Sequence, residues 1–275
     1  MSCTRILTTA AIALSCTAAG AQTVSVPQAE GSDEGSVAIG GAILSSPDYV
    51  GADESQFLIL PYIDVYNYKG FDFVPFTGSY ALVDYLSGDG LWAWGIKAGP
   101  QLNYEFGRPE DDADELEGLG DLGGSLYGGG YARVRLGPVG LRLEGGQDLI
   151  DGTGGQKFDA TIGTRLPIGD GSLTAGLTAN WGSEDYNQSY FGITADQAAA
   201  TSFTQTDVTD GVYANTATLL LQYPMKKDWE ITALASYRQY VDDIENSPLI
   251  AADTGSADGL TLLFGVAKRF DFKNK

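Results

Sequence analysis

The sequence predicts an all-β fold, a single antiparallel transmembrane β-barrel, on three observations. Apolar and polar residues alternate with period two along most of the chain; no window after the first segment holds a sustained 3.6-residue apolar period; and short turns alternate with long polar loops. The 275-residue chain carries 36 acidic and 16 basic side chains, for a net charge of −20, but its hydrophobic fraction of 43% is that of an ordinary folded protein. Its 37 glycines follow no Gly-X-Y period, which excludes a collagen-like chain. The absence of histidine removes Ser-His-Asp and Cys-His hydrolases, His-ligated zinc and every His general base.

Residues 1–21, MSCTRILTTAAIALSCTAAGA, have a charged start at Arg5, an apolar stretch from Ile6 to Leu14 and a small-residue site at Ala19-Gly20-Ala21. That is the layout of a cleaved secretory signal. A membrane helix needs about 20 predominantly apolar residues, and Thr8, Thr9, Ser15 and Thr17 interrupt this run. Lipidation at Cys16 is disfavoured because Leu14 stands one place too late. Residues 22–35 are expected as a short periplasmic segment and 36–275 as the barrel. Both cysteines, Cys3 and Cys16, leave with the signal, so the exported chain has no disulfide and no cysteine metal site.

Eleven strand segments follow: 36–46, 56–67, 70–85, 91–106, 125–136, 139–149, 156–167, 173–182, 211–223, 229–240 and 258–270. In 173–182, Leu173, Ala175, Leu177, Ala179 and Trp181 share one face and Thr174, Thr178 and Asn180 the other. In 91–106, Trp92, Trp94, Ile96, Leu102, Tyr104 and Phe106 oppose Lys97, Gln101, Asn103 and Glu105. A soluble sandwich would show the same period. Runs of roughly 9–11 residues match tilted membrane strands rather than soluble ones of about 5–6. Aromatics also end the apolar faces, at Trp92, Phe106, Trp181, Tyr223, Trp229, Tyr237, Phe264 and Phe270, as a headgroup girdle requires.

Turns at Ser87–Gly90, Gly137-Pro138, Gly169–Gly171 and Lys226–Asp228 are short, whereas 107–124, 183–210 and 241–258 are long. Counting back from a periplasmic C-terminus places every long loop outside. Bacterial single-chain barrels have an even strand number, so one strand before residue 91 is miscounted. Either 70–85 is two strands broken around Thr77-Gly78-Ser79, or Thr23–Pro27 adds one. Twelve strands are expected, with ten as the alternative.

If the apolar faces meet lipid, the opposite faces line the lumen. They carry Lys97, Glu105, Arg133, Arg135, Arg142, Glu144, Lys157, Asp159, Arg165, Glu230, Arg238 and Arg269. Such a mixed-sign set either pairs internally to fill a narrow lumen or lines an ion pore. The three long loops hold 17 acids and one base, Arg108. That surface offers nothing to neutralise phosphates, which argues against nucleic acid. The cluster Glu110–Glu117 lacks EF-hand spacing and reads as a solvated face. The glycines of Gly118–Gly124 and Gly128–Gly130 precede no Lys-Ser/Thr and no helix, so they are not a phosphate cradle. No catalytic, metal or cofactor residue stands out.

The chain resembles the MltA-interacting protein (MipA)/OmpV family of Gram-negative outer-membrane proteins. The resemblance rests on Gly40-Gly41, Ser46-Pro47-Asp48-Tyr49-Val50-Gly51, Pro61-Tyr62, Leu116-Glu117-Gly118-Leu119-Gly120-Asp121, Tyr190-Phe191-Gly192-Ile193 and Phe264-Gly265-Val266-Ala267-Lys268-Arg269-Phe270, in that order. It implies residence in outer-membrane lipid, insertion by the barrel-assembly machinery and a non-enzymatic role, either as a scaffold between a murein hydrolase and a murein synthase or as a structural outer-membrane component. Other members are linked to osmotic or antibiotic responses and to adhesion. Barrels of this kind usually end on an aromatic residue, whereas Asp271-Phe272-Lys273-Asn274-Lys275 follows Phe270; Phe270 or Phe272 would serve as the assembly signal. A small-solute or ion channel is the alternative function, and an enzyme the remotest class.

Overall fold

A computed structural model describes residues 33–88, 93–252 and 255–274. The described residues form thirteen strands: β1 (Glu34–Pro47), β2 (Ser55–Tyr68), β3 (Phe71–Val74), β4 (Thr77–Tyr80), β5 (Val83–Ser87), β6 (Trp94–Glu105), β7 (Ser125–Leu136), β8 (Val139–Asp148), β9 (Gln156–Ile168), β10 (Gly171–Gly182), β11 (Gly211–Pro224), β12 (Trp229–Tyr240) and β13 (Asp258–Lys273). Neighbours pair antiparallel and in chain order, except that β4 joins β6 rather than β5. The ring closes because β13 returns to β1, from Lys273 opposite Glu34 to Leu262 opposite Ser45. No helix among the described residues is long and apolar enough to cross a membrane; the strands do so, since closure pairs most of the backbone polar groups that lipid cannot.

The wall contains twelve strands, so the expected number holds and ten does not. The miscounted region is 70–85, but it breaks differently from the expectation. Thr77–Tyr80 is itself a strand, and the interruptions fall at Pro75-Phe76 and Ala81-Leu82. Pro75 has no backbone N–H to donate, and Phe76 takes a left-handed φ of 68°, so β3 turns back after four residues. β4 then pairs with β6, Thr77 opposite Asn103. β5 lies outside the ring and continues along the lower part of β6, with Ser87 opposite Trp94. Because β3 is so short, β2 from Ser55 to Asp64 has a ladder partner only in β1 among the described residues. Its outward Phe57 and Ile59 are 77% and 85% exposed.

Alternation sorts the two faces. Ile43, Leu141, Ile162, Leu177, Leu219 and Leu262 point outward and are exposed, while Thr161, Thr174, Thr178, Thr216 and Thr218 point inward and are buried. At the periplasmic ends Tyr85 meets Trp94 at 5.1 Å and Tyr68 meets Phe272 at 5.7 Å. At the extracellular end of β6, Phe76, Tyr104 and Phe106 pack edge to face at 4.9–5.0 Å. Phe264 departs from the girdle expected of it. It sits opposite Ile43 and Ala233, in mid-wall. Gly129 serves close strand approach, since a Cβ there would stand 1.9 Å from the Gly145 carbonyl. Residues 1–21, the expected signal, most of 22–35, and Trp92 lie outside the described residues. β1 starts at Glu34, two residues before the expected boundary.

The long loops are not simply solvated. Residues 183–210 contain two helices, α1 (Glu184–Phe191) and α2 (Ala195–Ala200), and 241–257 contains α3 (Pro248–Ala251). Ser183 caps α1 by accepting from Tyr186 N, with Glu184 and Asp185 in the first turn where the helix dipole favours acids. Thr194 and Gln197 form a reciprocal capping box on α2. Pro248 opens α3, where a missing N–H costs nothing.

Candidate functional site: the barrel lumen

The lumen is layered, and the strands set the layers. Near the loop ends of β7, β11 and β12, Tyr127, Tyr213 and Tyr240 point inward, and α1 presents Tyr186, Tyr190 and Phe191 to them. Tyr186 lies 5.0 Å from Tyr190 and 5.3 Å from Tyr213, and Phe191 lies 5.6 Å from Tyr240, measured between ring centres. Phe191 is 1% exposed. A second apolar cluster joins Tyr49, Ala52, Leu116, Leu119, Ile193 and Leu249. Ser247 Oγ donates to the Phe191 carbonyl at 2.6 Å, tying α3 to α1. Arg108, the one loop base, is buried and donates Nη1 to the Tyr190 carbonyl at 3.2 Å. Loss of hydration holds its guanidinium below its ordinary range.

Together these groups fill the extracellular end of the lumen. The tyrosine excess therefore has an internal use that strand-end patterning did not reveal. The fragments Ser46–Gly51, Leu116–Asp121 and Tyr190–Ile193, far apart in the chain, meet in this closure through Tyr49, Leu116, Leu119, Phe191 and Ile193. Outside it, the acidic loop keeps its charges close together. Burial, then Asp111 and Asp121, push Asp112 up to about 6. Asp48 is raised by burial and by Glu54 and Glu115.

Below the aromatic layer the charges pair. Lys157 on β9 bonds Glu105 on β6 and stands 4.9 Å from the Tyr127 ring centre. Arg142 and Glu144, both on β8, meet at 2.7 Å, and Gln101 bonds both, accepting from Arg142 at 2.7 Å and donating to Glu144 at 2.8 Å. Arg142 also covers the Tyr131 ring at 5.0 Å. Asp159 accepts from Asn180 at 2.6 Å, and Asn180 accepts from Thr216 at 2.7 Å, linking three strands. Arg269 bonds Glu230 and donates to Ser36 at 3.1 Å. Lys97 pairs with Asp72 at 2.5 Å. Asp72 escaped sequence reading because its strand has only four residues, too few to show a period.

Of the twelve charges expected on the inner face, six form three pairs with one another: Lys157 with Glu105, Arg142 with Glu144, and Arg269 with Glu230. Lys97 and Asp159 find Asp72 and Asn180. Arg133 is buried against the same wall, opposite Arg142. Arg238 sits near the aromatic end of β12 and is half-buried. Arg135 and Arg165 come together at the periplasmic end, lining a cavity of about 290 Å³. Among the described residues no three Asp, Glu, His or Cys side chains gather as a metal shell requires.

The model of the MltA-interacting protein MipA family matches residues 39–270. An outer membrane protein of Vibrio anguillarum, Omp26La, is 24% identical over 56% of this chain and 60% of its own length. The MltA-interacting protein of Escherichia coli is 25% identical over 40% of this chain and 44% of its own. The matched stretch thus spans about half the length of these relatives. Both are named as outer-membrane or interacting proteins, not as enzymes. Among solved structures, the NanC porin aligns over 85% of this chain with 12% identity and a TM-score of 0.36. With the matched model covering nearly the whole barrel, the chain belongs to the MipA family, and it is an outer-membrane protein.

Proposed function

We propose that this outer-membrane barrel is a non-enzymatic scaffold that holds a murein hydrolase and a murein synthase at the outer membrane. The observation that carries this reading is the filled extracellular end of the lumen, where Phe191, Ile193, Leu116 and Leu249 are at most 1% exposed. A channel needs a continuous aqueous path, and apolar packing of that density speaks against one. A murein-related partner is suggested by the name of the Escherichia coli relative, and the synthase by the family resemblance. The missing histidine supports a non-catalytic role, because general base and nucleophile activation most often use one. Insertion through the barrel-assembly machinery would use β13, whose Phe270 faces outward and whose Phe272 packs on Tyr68.

Pull-down of the purified full-length barrel with a murein hydrolase and a murein synthase tests the reading. Retention of both above a control barrel is expected, and retention no better than the control overturns it. The alternative, a small-solute or ion channel, draws support from the arginines left at the periplasmic mouth and predicts steady conductance.

A further inference from the structure

Arg135 and Arg165 differ from four of the other inward bases. Lys97, Arg142, Lys157 and Arg269 each hold a carboxylate. Arg135 donates only Nε, to the Gly137 carbonyl at 3.1 Å, and Arg165 makes no hydrogen bond or ion pair among the described residues. The ionisable groups within electrostatic reach of Arg165 are Arg269, Tyr66 and Arg135, two of them cations. Asp170, in the adjoining turn, is exposed and pairs with neither arginine. In a chain with 36 acids and 16 bases this is not a shortage of carboxylates.

The register shows how the space arises. On β8, between β7 and β9, Gly140 stands opposite both Arg135 and Gly163, so no side chain fills the wall between the guanidinium groups. The Gly137-Pro138 turn and Pro167 complete a cavity of about 290 Å³, and Ser172 adds a hydroxyl. Two adjacent guanidinium groups repel each other unless an anion lies between them, and their planar forks match the oxygens of phosphate.

We propose that this cavity is a phosphate-binding site open to the periplasm, held by Arg135 and Arg165 with Ser172 as a further donor. The ligand is a phosphate group, carried either by a soluble molecule or by a phospholipid headgroup of the inner leaflet. Nothing in this assignment depends on the scaffold reading, and neither arginine belongs to the closure at the other end.

The test uses the full-length barrel in phosphate-free, lipid-free detergent. Inorganic phosphate is titrated calorimetrically, and phosphatidylglycerol is added in parallel and scored by native mass spectrometry. The wild type is expected to bind at least one of the two probes at a single site, with R135Q/R165Q binding at least about tenfold more weakly. Binding of inorganic phosphate assigns a soluble ligand, and binding of phosphatidylglycerol alone assigns the headgroup. If the double variant does not fold, phenylglyoxal labelling of the wild type replaces it, with the bound probe expected to protect Arg135 and Arg165. Binding of neither probe overturns the proposal, as does binding unchanged in the double variant or absence of protection.

Discussion

At its extracellular end the lumen is filled by aromatic rings, half of them carried in by α1, whereas towards the periplasm it is lined by charges carried on the strands themselves. The upper layer is closed by burial of apolar area and by ring packing, which are weakly directional. The lower layers depend on individual partners: Glu105 for Lys157, Glu144 for Arg142, Glu230 for Arg269. The difference teaches where vacancy is tolerated. A gap among rings loses contacts on every side, while a missing anion beside Arg165 leaves a cavity that an outside anion can occupy. The packed closure therefore sits at the outer end and the proposed anion site at the inner end.

Three substitutions would break this contrast. Phe191→Ala removes the most enclosed ring of the seal and leaves a cavity; we expect a loss of about 4 kcal/mol in urea unfolding of the detergent-solubilised barrel. Glu105→Gln leaves Lys157 charged and unpaired, at a cost of about 3 kcal/mol by the same measurement. The paired change E105Q/K157M should recover most of that loss, because the isolated charge rather than the missing bond is what destabilises. A loss as large in the paired variant as in E105Q would show that packing, not charge pairing, holds the lower layer.

The smallest effect lies outside the barrel. Asp112 is raised to about 6 in the folded loop, from an ordinary value of 3.8, by burial and by Asp111 and Asp121. The folded loop then binds a proton more tightly than the unfolded one, so stability is greatest at low pH and falls as pH rises from about 4 through about 6. Limited proteolysis of 107–124 should therefore be slower at pH 5 than at pH 7.5. D112N should be cut at nearly equal rates at both.

Much of the wall was legible in the sequence because lipid outside and polar side chains inside impose a strict two-residue period. Leu173 to Trp181 and Trp94 to Phe106 show it without interruption. The corner at 70–85 was not legible, since Pro75 and a left-handed Phe76 set it locally and four-residue strands carry no period. Within the lumen, which positions carry charge followed from alternation, but which partner each one holds did not. Glu105 and Lys157 are separated by two intervening strands, and only closure of the ring brings them together. The seal was the largest omission. A signal for it was present: Ser183 with Glu184 and Asp185 reads as a helix start, and Tyr186 and Tyr190 recur at i and i+4 on one face. The length of the loop and its polarity hid a single eight-residue helix.

Planar-bilayer recording compares the wild-type barrel with a variant lacking 184–207 most directly. No steady conductance is expected from the wild type, and channel openings are expected once α1 is removed. Ohmic channels from the wild type, no larger after the deletion, would contradict the closure of the lumen and with it the scaffold reading.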